Sequence, residues 1–156
     1  MQNFKPEGQT ILTPSNQAAL SSPNALHEAC IINETLEARA LLCDKEHNLR
    51  VDLGCMYGII PHNEGALGID DGSVRDIALI SRVNKPVMFK IVGFQKDEND
   101  REYAILSRKA VQQECMDKYI SKLRPGDVIT AKVTHMENFG VFLDIGFGIF
   151  FHFLIP

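Results

Sequence analysis

The segment RPGDVITAKVTHMENFGVFLDIG, residues 124–146, opens on a Pro-Gly break and continues as β-type sequence. In its second half Val141, Leu143 and Ile145 share one pleat face, leaving Gly140, Phe142 and Asp144 on the other. An apolar face opposite a face bearing an aromatic ring and a carboxylate is the pattern of a half-buried strand. From Gly126 to Pro156 three strands fit.

The same pattern occurs once before. NLRVDLG (48–54) aligns with GVFLDIG (140–146) so that Asp52 matches Asp144, Leu53 matches Ile145 and Gly54 matches Gly146, an internal repeat. Around the first copy five strands can be counted, in TLEARALLCD (35–44), NLRVDLG, MYGIIPHNE (56–64), PVMFKIVGFQKD (86–97) and REYAILSRKAV (101–111). The strand VMFKIVGF places Val87, Phe89, Ile91 and Gly93 on one face and Met88, Lys90, Val92 and Phe94 on the other, so Lys90 alone interrupts a buried strand. The turn-forming run DENDRE predicts an antiparallel hairpin between strands four and five. Between strands three and four, Gly65, Gly68 and Gly72 exclude regular structure before a helical turn near 74–80, placed to plug the barrel.

The flanks read differently. The first 25 or so residues are rich in Gln, Asn, Ser, Thr and Pro, which predicts a loose polar arm, followed by a short helix in NALHEAC (24–30). KAVQQECMDKYISKL (109–123) spaces Val111, Cys115, Met116, Tyr119 and Ile120 along one helical face, a link between the two β regions that ends at Pro125 and Gly126. The domain reading is an arm with a short helix (1–32), a complete barrel (33–112), a linking helix (113–125) and a partial second unit of three strands (126–156).

Composition restricts function. With 156 residues, 45% hydrophobic and 23% charged, the chain has the makings of a folded globular protein. A net charge of −4 argues against gripping nucleic acid by bulk electrostatics, so any such contact must be local. Residues 72–92 supply one basic stretch, with Arg75, Arg82, Lys85 and Lys90 against Asp76. No apolar run reaches the length of a membrane span and the start lacks a secretion signal, which predicts a cytoplasmic protein with no membrane partner. Cys30, Cys43, Cys55 and Cys115 form no CxxC pair and are read as reduced core thiols, with no metal site or cofactor expected. No GxSxG, HExxH, P-loop or GxGxxG element is present, and GFG (146–148) sits in a strand turn, so the chain reads as no enzyme.

FGVFLDIGFGIFFHF (139–153) concentrates rings as single-stranded nucleic-acid binders do. Most should fill the core, but alternation turns Phe142 outward, and Phe139 can reach the same surface if Gly140 breaks the pleat. His27 and His135 are read as ordinary surface residues.

Residues 124–146 resemble the opening of the S1 RNA-binding domain family, with Gly126-Asp127 before the first strand and Phe139-Gly140-Val141-Phe142 entering the second. The first unit is similar at its ends, through YGIIPHNE (57–64) and AILSRKAV (104–111), so the resemblance covers about residues 33–156. It implies a mainly β fold, an S1-type OB-fold five-stranded antiparallel barrel, a linking helix and a truncated second S1-type unit. The implied function is binding of single-stranded RNA, mRNA or rRNA, in translation, with the ribosome as a further partner.

Carried over by position, Phe139 and Phe142 occupy the family's aromatic places, the third-strand histidine falls at Phe151 or His152, and Lys132 adds a local basic contact. In the first unit His47 and Arg50 stand where the aromatics belong, Pro61 and His62 replace the third-strand histidine, Lys90 adds a positive charge, and Asp97 with Arg101 forms the acid–arginine pair. RNA contact and docking against another protein both stand for that unit. Three strands cannot close a barrel, so the second unit should be poorly stable and offer an open edge for self-association.

Overall fold

The computed structural model describes residues 4–154, so the outermost parts of the expected arm and second unit, residues 1–3 and 155–156, lie outside it. Two short helices come first, α1 (Pro14–Ala19) and α2 (Pro23–Ile31). Each starts on a hydroxyl cap followed by proline: Thr13 accepts from the Asn16 N–H and Ser22 from the Ala25 N–H.

The arm is ordered where its composition predicts a loose segment. Its polar groups are spent on long-range hydrogen bonds. The fully buried Glu37 carboxylate accepts from the backbone N–H groups of Gly8 and Thr10, and Asn16 both donates to the Glu37 carbonyl and accepts from its N–H at 2.8 Å. A buried amide satisfied on both sides holds the arm as apolar anchors would.

Five strands follow as expected: β1 (Leu36–Cys43), β2 (Leu49–Asp52), β3 (Tyr57–Ile60), β4 (Pro86–Lys96) and β5 (Glu102–Ser107). They close into a barrel in the order β1-β2-β3-β5-β4. Four of the five pairings are antiparallel, including the β4–β5 hairpin; β3 and β5 pair in parallel at Gly58–Ala104 and Ile59–Ile105, which corrects the all-antiparallel expectation. Closure joins strands that are not sequence neighbours, so hairpin rules do not fix their direction.

Val87, Phe89 and Ile91 of β4 fill the interior with Leu49, Val51 and Leu106. The ladder shifts register between Ile91 and Gly93, and past that bulge Phe94 packs on the interior cluster while Val92 is exposed. The barrel is capped by α2, whose Leu26 and Ala29 join the interior cluster. The expected plug between β3 and β4 is the single turn α3 (Ile77–Ile80), whose buried Leu79 forms a separate cluster with Ala66 and Ile69.

Helix α4 (Arg108–Lys118) begins on Ser107, which accepts from the Ala110 N–H. Its Val111 and Cys115 pack with Met88 of β4 and with Phe147. Burial pushes the Cys115 thiol up to about 12, and it is the one fully buried cysteine; all four are free, but Cys30 and Cys43 are half-buried and Cys55 is exposed rather than in the core.

The rest is a three-stranded antiparallel sheet, β6 (Lys132–Glu137), β7 (Gly140–Gly146) and β8 (Ile149–Leu154), in that order. The aligned repeat has one local geometry. Asp52 accepts from the Gly54 N–H at 2.8 Å and Asp144 from the Gly146 N–H at 2.9 Å, each carboxylate turning the chain at the end of its strand.

A buried ion pair and a small apolar cluster attach the sheet. The Glu7 carboxylate lies 2.5 Å from Arg108, accepts the Met88 N–H, and sits beside Asp144, which accepts the Glu7 N–H at 2.9 Å. Burial alone would raise the Glu7 pKa, but the Arg108 guanidinium, Arg82 and the Met88 N–H together outweigh it and hold the group below its ordinary value; burial, with the Glu7 charge adding to it, leaves Asp144 raised. Gly148 has φ +81° and runs against this pair so closely that a Cβ would meet both Arg108 and Glu7 at 2.3 Å.

Candidate nucleic-acid interface

The pairing register of the small sheet sets out its rings. His135 of β6 lies opposite Phe142 of β7, which lies opposite His152 of β8. Directly opposed side chains point to the same face, so the three rings form a row across the strands. Phe142 and His152 stack at 4.4 Å with their planes 4° apart, and His135 lies 5.8 Å from Phe142.

Phe139, in the β6–β7 turn, stands edge-on to His152 at 5.7 Å and is 53% exposed. It reaches the row because Gly140 lets β8 approach: a Cβ there would meet the Phe153 carbonyl oxygen at 2.2 Å and His152 at 3.0 Å. Phe142 and Phe139 therefore share a face with His152, but Phe142 is half-buried, as Val141 and Leu143 are, and Asp144, expected to point outward, is buried by its contacts with Glu7.

The alternatives for the third-strand ring separate by parity. His152 joins the row, while Phe151 lies opposite Leu143, projects from the other face, and neighbours Phe153 at 6.4 Å. His135, read from the sequence as an ordinary surface residue, is exposed with a ring nitrogen 2.6 Å from Glu137, and its register with Phe142 places it at the end of the row. Beside the row runs a groove of about 630 Å³ between sheet and barrel, lined by Phe142, His135 and Phe150 on one side and by Arg82 and Lys85 on the other.

The basic residues fare unevenly. Lys85 is exposed at the groove. Arg82 is largely buried, donating to the Pro86 carbonyl at 3.1 Å and lying 3.9 Å from Glu7. Lys90 is buried too, its ammonium 2.7 Å from Glu114 and donating to the Asn33 carbonyl, and Lys132 donates to the Glu7 carbonyl at 3.5 Å. Neither is brought to the ring row.

On the barrel, Arg50 of β2 lies 3.9 Å over the Tyr57 ring of β3, which stacks on Tyr103 of β5 at 5.0 Å with planes 9° apart. Neither tyrosine was singled out in the sequence, because β3 and β5 meet only through barrel closure. Asp97 and Arg101 flank this stack, but the carboxylate accepts the backbone N–H groups of Asn99 and Arg101 and the Tyr57 hydroxyl, closing the hairpin rather than orienting the guanidinium. The Arg101 N–H is the main cause holding Asp97 below its ordinary pKa. The adjoining groove, about 640 Å³, is lined by Arg50 and Arg101 against Asp97, Glu98 and Glu102. His47 and His62 lie together beside Asp76.

A closed barrel in this strand order, with rings displayed on strand faces, defines an OB-fold protein. The chain resembles ribosomal proteins of the S1 kind. It is 33% identical over 143 residues to the small ribosomal subunit protein bS1 of Staphylococcus aureus (strain COL) and 50% identical over 143 residues to that of Staphylococcus saprophyticus, in each case across 89% of this chain and 34% of the relative. A shorter match, 49% over 53 residues, is to bS1 of Staphylococcus haemolyticus. The chain thus spans about a third of the length of the first two relatives. No protein-family model matches it. No helix among the described residues is long and apolar enough to cross a membrane.

Proposed function

We propose that this chain is a single-stranded RNA-binding module of a translation-associated protein of the S1 kind, its barrel one S1-type unit and its three-stranded sheet the opening of a second. One observation carries the reading: the row His135–Phe142–His152, half-buried at Phe142 and exposed at both histidines, with exposed Phe139 at its end, beside a groove bearing Lys85. Flat rings at strand spacing accept stacked bases of any sequence, each contributing about 1–3 kcal/mol, while a nearby cation holds phosphate. mRNA or rRNA and the ribosome are the partners this implies. The edge of β8 left free by β7, with Phe151, Phe153 and Leu154 exposed, offers self-association a surface.

The barrel supports a second reading for its own face. Three carboxylates against two guanidiniums line its groove, and Arg50 already covers Tyr57, an arrangement better suited to docking a basic protein surface than to holding phosphate.

Titration of a labelled single-stranded oligouridylate at several salt concentrations tests both. Binding should weaken linearly in log–log form as salt rises. Phe142→Ala should reduce affinity about 5- to 150-fold, the equivalent of one stacked base. Unchanged affinity in that variant overturns the stacking reading, and absence of RNA binding in the parent leaves docking.

A further inference from the structure

No metal site was expected from the cysteine spacing, yet three distant segments bring a ligand set together. His47 comes from the β1–β2 turn, His62 from the turn after β3, and Asp76 from the residue before α3. Asp76 bridges the rings: one carboxylate oxygen lies 2.6 Å from His62 Nε2 and the other 3.3 Å from His47 Nδ1. All three donor atoms lie within 4.8 Å of one another.

The backbone fixes the two histidines independently of Asp76. The Asp44 carboxylate accepts from the N–H groups of Glu46 and Asn48, holding the turn in which His47 takes a left-handed φ of 64°. The Asn48 side-chain oxygen accepts the His62 N–H at 2.9 Å, so one residue ties the segments that carry both rings. The side chains are 33–46% exposed, which gives an ion a way in.

We propose that His47, His62 and Asp76 form a binding site for a divalent transition metal of the zinc class. Two imidazoles and one carboxylate suit Zn²⁺ or Co²⁺, whereas Ca²⁺ and Mg²⁺ require six or more oxygens. Bonds of about 2.0–2.1 Å place tetrahedral ligands roughly 3.4 Å apart, so side-chain rotations of about an ångström complete the site. Metal would take the place of the hydrogen bond between His62 Nε2 and Asp76. Three protein ligands leave a fourth position for water or an external donor. The bound ion would pin the β1–β2 turn, the end of β3 and α3 to one another.

The test uses the whole chain, stripped of metal and titrated with Co²⁺. Expected is one Co²⁺ per chain with visible d–d absorption and no thiolate charge-transfer band, displaced by Zn²⁺. In a ring-selective NMR titration with Zn²⁺, only His47 and His62 of the five histidines should shift. His47→Gln and Asp76→Asn, both at partly exposed positions, should each weaken Co²⁺ binding at least tenfold. The proposal is overturned if no metal binds, if binding persists in the double variant His47→Gln/His62→Gln, or if a thiolate band shows that cysteines hold the ion.

Discussion

The closed barrel and the three-stranded sheet carry the same Asp-Gly strand ending, yet bury opposite things. In the barrel the Asp52 turn is on the surface and the strand interiors are packed: Leu49, Val51, Val87 and Phe89 are fully buried. In the sheet every residue of β6 is exposed, and the Asp144 turn is the buried part, clasped by Glu7 and Gly148. A barrel can hide its strand faces because it closes on itself; the sheet is fastened by one end and leaves its face open. Exposed rings are therefore kept where packing is thinnest, which is what a surface for stacking bases requires.

Breaking the fastening gives the largest expected effect. Glu7→Gln leaves Arg108 buried without its counter-charge and should cost about 3–5 kcal/mol in a urea melt. Hydrogen exchange should rise across 140–149 more than in the barrel strands. Because the folded state holds the Glu7 pKa below its unfolded value, its contribution is complete above the unfolded pKa and is lost as pH falls through the depressed one. Parent and variant stabilities should thus converge in acid; a gap that persists there would remove Glu7 ionisation as the cause.

A smaller effect separates the ring row from the barrel. Gly140→Ala forces β8 or His152 aside and should cost about 1–3 kcal/mol, with RNA affinity reduced while the near-ultraviolet signal of the Tyr57–Tyr103 stack is unchanged. The smallest effect sharpens the functional contrast. Tyr57→Ala should change oligouridylate affinity less than threefold, because the acidic groove repels phosphate and the ring already carries Arg50; a loss equal to that of Phe142→Ala would make the two faces equivalent.

What the sequence disclosed follows physical range. Strand count, the β4–β5 hairpin and the presence of a helix after β5 depend on periodicity and local turn chemistry, and are visible in contiguous residues; alternation also turned Asp144 outward, and its burial against Glu7 is not. Features made by closure were hidden: Tyr57 against Tyr103 needs the parallel β3–β5 contact, and His47, His62 and Asp76 meet only after three loops fold together. Lys90 shows the complementary limit. Its charge suggested phosphate contact, but a cation within a buried strand is consumed by Glu114 and Asn33, and no local pattern reports that. Glu7, in a segment whose composition reads as loose, could not be recognised as a buried ion because its partner lies 101 residues away.

That separation also governs the order of assembly. Glu7 is synthesised 101 residues before Arg108, its main counter-charge, and its N–H finds Asp144 only 137 residues downstream. Until then the arm must wait with its charge in water, and β4 lacks the acceptor for the Met88 N–H. The barrel can collapse early around Phe89 and Leu106, but the last closure is a long loop, which sets it late and slow on the folding pathway. The nascent chain gains its final lock only after the ring-bearing strands have been synthesised.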